Sequence, residues 1–287
     1  MSEGIEEPLL FPCEGSTLVG ILHRAAAGPF EVAVLVVVGG PQYRVGSHRQ
    51  FVSSARSMAA AGYPVLRFDY RGMGDSEGEF KGFEHISSDI RSAIDALYRT
   101  CHPRRGIVLF GLCDAASAAL AYCGSDARVV GLVLINPWVR SARSEAEVVV
   151  KRYYTSRLRQ VDFWRKLVGG DFDFFRSLGA LIGNLKRAVQ RPNHTEPSGY
   201  IDSMRAGLAQ FTGPVMVVQS GRDLTADEFR ALCRRDRAWK DALSRPSVEI
   251  VDMADADHTF SGGPHLEQLN QRCGRWLAKQ FGSGSCP

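Results

Sequence analysis

Short apolar runs rich in β-branched residues alternate with longer helical stretches along most of the chain. Each run is almost continuously apolar, as a strand buried on both faces of a sheet should be. Each run also ends in a turn rich in Gly, Asp or Pro. The alternation predicts an α/β fold in which helices cover both faces of a mostly parallel sheet. The predicted strands are Leu18–His23, Val32–Val38, Tyr63–Phe68, Ile107–Phe110, Val129–Ile135, Val215–Gln219 and Val248–Val251.

Helical patterns fill the gaps between the predicted strands. Phe83–Tyr98, for example, carries apolar residues at Ile86, Ile90 and Ile94, which is a helical spacing. In sheets of this kind, sites are built at the carboxyl ends of the strands, so the turns after the strands are the places to look for chemistry. The predicted helices are Ser47–Ala61, Phe83–Tyr98, Ala115–Tyr122, Thr225–Leu243 and Leu266–Phe281.

One stretch, 141–210, interrupts the alternation because it contains no strand-like run. It is Arg-rich, amphipathic and aromatic, and it ends near a loop-like segment at 191–199. Two interpretations overlap. The stretch is a helical excursion that packs its own small core, or it is a cap whose aromatic side chains line a substrate pocket.

Length and composition limit the classes of protein that fit this sequence. The chain has 287 residues, of which 45% are hydrophobic and 23% charged, which excludes disorder and collagen-like repeats. One large domain with an insertion is the expected organisation. The net charge of +4 is spread along the chain, which argues against a nucleic-acid partner.

The cysteines and the N-terminal segment bear on location. No C-x-x-C pair and no metal-finger spacing occurs, so we expect free thiols, no metal site and a reducing cytoplasm. The first residues are acidic and lack the features of a secretion signal. The apolar run at 32–40 is about half the length of a membrane-spanning helix, so no transmembrane segment is predicted. The cysteines are Cys13, Cys101, Cys113, Cys123, Cys233, Cys273 and Cys286.

The segment 111–115, GLCDA, follows a buried strand and opens an Ala-rich helix. This is the context of a nucleophile elbow, a strand-to-helix turn so tight that the residues two before and two after the nucleophile must be small. Gly111 and Ala115 meet that requirement, and Cys113 takes the central place. A thiol would therefore replace the usual serine hydroxyl, unless Cys113 is merely a small buried core residue.

A cysteine nucleophile needs a base and a group that orients the base, because only a few per cent of a free thiol is ionised at neutral pH. The helix after Cys113 would favour the thiolate through its N-terminal N–H groups. His258, after the last strand, is the expected base, and Asp223, after the preceding strand, is the expected orienting carboxylate. The alternative carboxylates nearby are Asp227, Asp255 and Asp257.

An acyl-transfer site also needs an oxyanion hole. The backbone N–H of Asp114 is one expected donor. The second should come from the loop after the strand at Val32–Val38. Pro41 has no N–H, which leaves Gly40 or Gln42, with Gln42 slightly favoured.

Two further features have plain structural interpretations. Arg44, His48 and Arg49 could receive an anionic group, but an exposed basic helix start is the simpler interpretation. The turn DYRGMGDS at 69–76 contains a G-x-G, yet its glycines do not complete a dinucleotide fingerprint. We expect Arg71 and Asp75 to tie this turn together beneath the site.

Taken in order, the D-x-R-G-x-G-x-S turn, the GLCDA elbow, SGRD and DxDH resemble the α/β-hydrolase superfamily over the whole chain. More narrowly, GGPQYRVGSHRQF, FDYRGMGDSEG and FGLCDAASAAL resemble the type 1 hydrolase associated with the exosortase A system of bacteria. The resemblance implies an α/β-hydrolase core at 1–140 and 211–287. The helical cap at 141–210 would lie between the sixth and seventh strands in that superfamily's order. It also implies that Cys113, Asp223 and His258 occupy the triad positions.

The expected function is hydrolysis of a small-molecule ester or thioester through an acyl-cysteine, without a metal or organic cofactor. Two alternatives remain open. The same site could transfer the acyl group to a sugar hydroxyl or an amine, or the fold could serve as a non-catalytic binding module. The sequence does not decide the oligomeric state, and a homodimer is compatible with it.

Overall fold

A computed structural model describes residues 5–26, 28–40, 42–139 and 198–282. Over these residues the chain forms one eight-stranded sheet in the order β1-β2-β4-β3-β5-β6-β7-β8. The first two pairings, β1 with β2 and β2 with β4, are antiparallel, and all the others are parallel. The strands are β1 Glu6–Cys13, β2 Ser16–His23, β3 Val32–Val37, β4 Val65–Asp69, β5 Gly106–Leu112, β6 Val129–Ile135, β7 Val215–Ser220 and β8 Val248–Met253.

The mostly parallel sheet and seven of its strands are confirmed, and β1 is a strand that the sequence analysis missed. Strands β3, β4 and β5 are buried along their whole length, which is why their sequences are continuously apolar. Strand β1 pairs only with β2 at the edge of the sheet, and its side chains alternate between exposed and covered. Pro8 and Pro12 are tolerated there because an edge strand has a free side.

Helices cover both faces of the sheet. Those named α1 and α7 pack on one face, and α2 to α6 pack on the other. The predicted helix Thr225–Leu243 is in fact two helices, because Asp236 is extended and its carboxylate caps a new helix through the N–H groups of Ala238 and Trp239. The helices are α1 Gln50–Ala60, α2 Ser87–Cys101, α3 Asp114–Tyr122, α4 Ser198–Gln210, α5 Leu224–Arg235, α6 Arg237–Leu243 and α7 His265–Phe281.

The predicted insertion at 141–210 lies outside the described residues except for its last part. That part contains helix α4, which packs closely on α3 through Gly207, where a Cβ would collide with the carbonyl oxygen of Leu120. Met204 and Leu208 of α4 are fully buried in the same core. Within the ranges given above, no helix is long and apolar enough to cross a membrane.

The parallel strands all end at one edge of the sheet. The turns after β3, β5, β7 and β8 carry Gly40, Cys113, Asp223 and His258 respectively. The strand order reverses around β3, and such a switch point opens a crevice between neighbouring turns. The fold thus brings residues that are far apart in sequence to one edge.

Candidate active site

Cys113 lies at the tight turn between β5 and α3, with φ +62° and ψ −125°. This conformation is unfavourable for a residue with a Cβ and costs on the order of 1–3 kcal/mol. The turn is held by the Cys113 N–H, which donates to Ile135 O at 2.9 Å, and by the Cys113 carbonyl, which accepts from Ala116. A Cβ on Gly111 would lie 2.7 Å from backbone atoms of Ala115, so only glycine fits there. The geometry is that of the predicted elbow.

His258 lies between Cys113 and Asp223. Its Nδ1 is 2.8 Å from Asp223 Oδ2, and Cys113 lies close enough to the ring to raise its pKa. Asp223 is 6% exposed and caps α5, since its Oδ1 accepts the Thr225 N–H at 3.0 Å. This second bond fixes the carboxylate while its other oxygen holds the imidazole. The three residues that the sequence analysis selected are therefore brought together.

The electrostatics of this arrangement favour a charged imidazole. Burial alone would lower the pKa of His258, but the hydrogen bonds to Asp223 and Cys113 and their charges raise it from 6.5 to about 10. The arrangement therefore places an imidazolium between the Asp223 carboxylate and Cys113.

The other acidic residues near His258 have their own partners. Asp227 pairs with Arg230, and Asp255 pairs with Arg222 at the surface. Asp257 accepts the N–H groups of Thr259 and Ser261 within its own loop. Asp223 is thus the carboxylate that holds His258.

Asn136, at the end of β6, is a positioning residue that the sequence analysis did not select. It is fully buried with φ +46°, and its Oδ1 accepts the N–H of Ser220 at 2.8 Å. Its Nδ2 donates to Ser220 Oγ at 3.0 Å and to the carbonyl of His258 at 3.5 Å. Asn136 therefore ties the ends of β6 and β7 to the His258 loop. An Asn directly after a buried strand was the available signal.

The backbone N–H groups of Gly40 and Gln42, the two candidates for the second donor of the oxyanion hole, point in different directions. The Gln42 N–H donates to Gly40 O at 2.7 Å, within its own loop. The Gly40 N–H instead faces the elbow and donates to Asp114 Oδ2 at 2.8 Å. Both N–H groups have partners within the chain, so the choice between Gly40 and Gln42 stays a prediction, and Gly40 is the candidate whose N–H faces the elbow. The Asp114 side chain on this N–H was not predicted from the sequence, in which only the backbone N–H of Asp114 had an expected role.

The turn after β4 and the basic residues after β3 have structural partners. Arg44 is buried and ion-paired with Asp69 and Asp75, so it is not available to an anionic substrate group. Arg71 forms an ion pair with Asp89 at 2.8 Å, which confirms its expected structural role. His48 and Arg49 are exposed, as expected for a basic helix start.

The cysteines differ in their surroundings. Those described are all free thiols, and Cys286 lies outside the described residues. Burial raises the pKa of Cys101 to about 11 and those of Cys123, Cys233 and Cys273 to about 12. Among the described cysteines, Cys113 is the one that raises the pKa of a neighbouring histidine, His258.

A comparison with protein families identifies the architecture. Residues 34–272, most of the chain, match the family described as the alpha/beta hydrolase family. The chain belongs to this family. A comparison with curated protein sequences gave no significant match.

Solved α/β hydrolase structures share the fold at low sequence identity. An esterase of Pyrococcus furiosus is 15% identical with a TM-score of 0.66, over 97% of this chain and 94% of its own. Est1E of Butyrivibrio proteoclasticus, solved with ferulic acid bound, is 14% identical with a TM-score of 0.64, over 95% of this chain and 98% of its own. A dienelactone hydrolase of Anabaena variabilis is 15% identical with a TM-score of 0.62, over 97% and 99% of the two chains. At this identity, the likeness establishes the α/β-hydrolase fold.

Proposed function

We propose that this α/β hydrolase cleaves a small-molecule ester or thioester through a covalent acyl-cysteine on Cys113. The observation that carries the proposal is the convergence of Cys113, at a strained strand-to-helix turn, with His258, which is hydrogen-bonded to Asp223 and whose pKa is raised by both residues. A strained turn persists only when the surrounding structure holds it, and such strain is concentrated at functional sites. A buried core cysteine would need neither the strain nor the histidine.

In the proposed mechanism, the Cys113 thiolate attacks the carbonyl carbon and the carbonyl π electrons move to oxygen. When the tetrahedral intermediate collapses, the bond to the leaving group breaks and His258 gives its proton to that group. Neutral His258 then takes a proton from water, and the hydroxide attacks the acyl-cysteine. Collapse of the second intermediate releases the acid and restores the thiolate–imidazolium pair. Asp223 keeps the ring oriented throughout.

The proposed oxyanion hole consists of the backbone N–H groups of Asp114 and Gly40. The first lies at the N-terminus of α3, whose dipole also favours negative charge. The second belongs to a loop that is already docked on the elbow, as the bond from Gly40 to Asp114 demonstrates.

A cysteine nucleophile is well matched to thioesters, because exchange between two thiols is nearly balanced in energy. The acyltransferase alternative uses the same first half-reaction, with a sugar hydroxyl or an amine replacing water. We further propose that the protein acts in the bacterial cytoplasm in connection with an exopolysaccharide or exosortase system, as its motifs suggest by resemblance. No residue of the proposed mechanism requires a cofactor.

Intact-mass spectrometry of the protein after brief mixing with acyl thioesters and aryl esters tests the proposal. We expect an acyl adduct, mapped to Cys113, that water clears within the assay. An adduct that persists until an amine or sugar is added would support transfer instead. Absence of an adduct from every donor, with Cys113 also inert to iodoacetamide, would contradict the proposal and favour a non-catalytic binding protein.

A further inference from the structure

The Asp114 carboxylate is hydrogen-bonded to the Gly40 N–H, which is the second donor of the proposed oxyanion hole. Its Oδ2 accepts the Gly40 N–H at 2.8 Å, and its Oδ1 accepts the Ala115 N–H at 2.9 Å. The oxygen of a bound substrate would have to approach the same Gly40 N–H at a similar distance. A negatively charged oxygen of the protein therefore occupies a place where the reaction would create negative charge.

This contact is built into the fold. A Cβ on Gly39 would collide with Asp114 Oδ1 and would lie 2.7 Å from the carbonyl oxygen of Leu112. Glycine at this position thus allows the loop after β3 to pack directly against the elbow. Gly40 has φ +63°, a conformation that presents its N–H to the carboxylate. Two successive glycines are needed for this approach.

The charge of Asp114 has little to balance it. No Arg or Lys in the described ranges forms an ion pair with it, and the cation it faces is His258. That imidazolium already serves Asp223 and the Cys113 sulfur. Burial raises the pKa of Asp114, and the N–H groups of Gly40 and Ala115 oppose this effect. The half-buried site thus holds more negative than positive groups.

Two buried polar atoms in this part of the molecule lack hydrogen-bond partners among the described residues. Gln42 Oε1 is buried and has no hydrogen-bond partner among the described residues. The Gln42 amide lies beside Gly40, since a Cβ on Gly40 would be 3.8 Å from its Nε2. Tyr70 is 1% exposed, its hydroxyl is likewise unpartnered within those ranges, and burial and the charge of Asp114 raise its pKa. Buried polar atoms without hydrogen-bond partners are uncommon and call for an explanation.

We infer that Asp114 is a specificity-determining residue that selects acyl groups bearing an ammonium group near the reacting carbonyl. An ammonium brings one positive charge and three N–H donors, which match the carboxylate and the unpartnered Gln42 oxygen. Pairing with it removes the repulsion between Asp114 and the developing oxyanion. A neutral acyl group leaves that repulsion in place and is a poorer substrate. This inference rests on the proposed function, because it concerns the substrate of that same site.

A matched pair of substrates tests the inference. The β-alanyl and butyryl thioesters of N-acetylcysteamine have acyl chains of equal length and differ in a terminal ammonium against a methyl group. At neutral pH we expect the wild type to prefer the β-alanyl thioester in kcat/KM by roughly tenfold or more, as for a close charge pair. Asp114→Asn keeps the shape but removes the charge, so the butyryl thioester should improve and the preference should disappear. Asp255→Asn, which removes an exposed carboxylate paired with Arg222, should leave the preference unchanged.

The outcomes separate this inference from the proposed function. Two results would overturn the role of Asp114 and leave the proposed function intact. In one, both thioesters acylate the wild type equally well. In the other, the Asp114→Asn variant keeps the preference of the wild type. Failure of both thioesters to acylate Cys113 overturns this inference, whereas the proposed function falls only when every other acyl donor also fails and Cys113 is inert to iodoacetamide. Should Asp114→Asn fold poorly, the wild type supplies a second test. A charge-based preference must weaken with added salt while butyryl turnover stays constant.

Discussion

The two ends of helix α3 carry two cysteines in opposite situations. Cys113, before the first turn, is partly exposed, has φ +62° and lies beside His258, whose pKa it helps to raise. Cys123, after the last turn, is 3% exposed in the core, and its Sγ lies 3.2 Å from the carbonyl oxygen of Leu120. Burial raises the pKa of Cys123 to about 12.

The contrast shows that position decides what a thiol can do. The N-terminus of a helix stabilises negative charge, whereas the C-terminus presents carbonyl oxygens that disfavour it. The rest of the difference comes from outside the helix. The turn after β5 leaves Cys113 partly exposed, and the turn after β8 brings His258 to it, while Cys123 is packed in the apolar core.

Removing each thiol in turn should give the largest difference between the two ends. We expect Cys113→Ala to lower acyl turnover by about 10⁴-fold or more, since no nucleophile remains, with little change in stability. Cys123→Ala should keep its turnover and lower the free energy of unfolding by about 1 kcal/mol, because it leaves a small cavity. Thioester hydrolysis and urea denaturation of both variants check this. Equal turnover in the two variants would remove Cys113 from the mechanism.

Removing the charge of Asp223, the partner of His258, should bring the reactivity of Cys113 closer to that of an ordinary thiol. We expect Asp223→Asn to lower turnover by roughly a thousandfold, because the ring loses its orientation and its stabilising charge. The pKa of His258 is about 10 against an ordinary 6.5, so its contribution to stability is complete below pH 6.5 and is lost as the pH rises towards 10. Urea denaturation across this range should therefore show a steeper loss for the wild type than for Asp223→Asn. Parallel curves would contradict the proposed ion pair.

Adding one methyl group at each end of α3 should test how tightly the two turns are built. A Cβ on Gly111 meets the backbone of Ala115 and Ala116 at 2.7 Å, so Gly111→Ala should cost about 3 kcal/mol of unfolding free energy. A Cβ on Gly124 meets the end of the flexible Gln210 side chain at 2.9 Å. Gly124→Ala should therefore cost less than about 1 kcal/mol. Similar losses in the two variants would mean that the elbow relaxes more easily than its geometry indicates.

The sequence predicted the interior of the fold better than its rim. Strands β3 to β7 are buried on both faces, and burial imposes the continuous apolar pattern from which they were recognised. Strand β1 is half exposed and contains two prolines, so its pattern does not differ from that of an acidic loop. The break at Asp236 was missed because the apolar spacing continues across it, and only the extended backbone of that residue ends the helix.

The site was predictable where a residue type and its place after a strand coincide. Cys113, Asp223 and His258 were selected in this way, each in the turn that follows a predicted strand, and the structure brings the three together. The direction of a loop N–H was not predictable, because it depends on the dihedral angles of Gly40 and on a contact with α3. The role of the Asp114 side chain required that contact too, and Asn136 required the adjacency of β6 and β7.

Removing a serine hydroxyl near the middle or at the end of α3 should give the smallest changes in stability among these paired substitutions. Ser117 is fully buried, and its Oγ donates to Trp138 O at 2.7 Å and accepts the Trp138 N–H at 2.9 Å. Ser117→Ala should cost roughly 1–2 kcal/mol, because the carbonyl of Trp138 loses its donor. Ser125 is exposed and its hydroxyl bonds within its own turn, so Ser125→Ala should change stability by less than about 0.5 kcal/mol.

Trp138 also donates its N–H to the carbonyl of Cys113 at 3.3 Å, so the Ser117 variant should show a few-fold slower acylation as well. Unchanged acylation with reduced stability would mean that the Trp138 segment supports the helix and has no influence on the nucleophile.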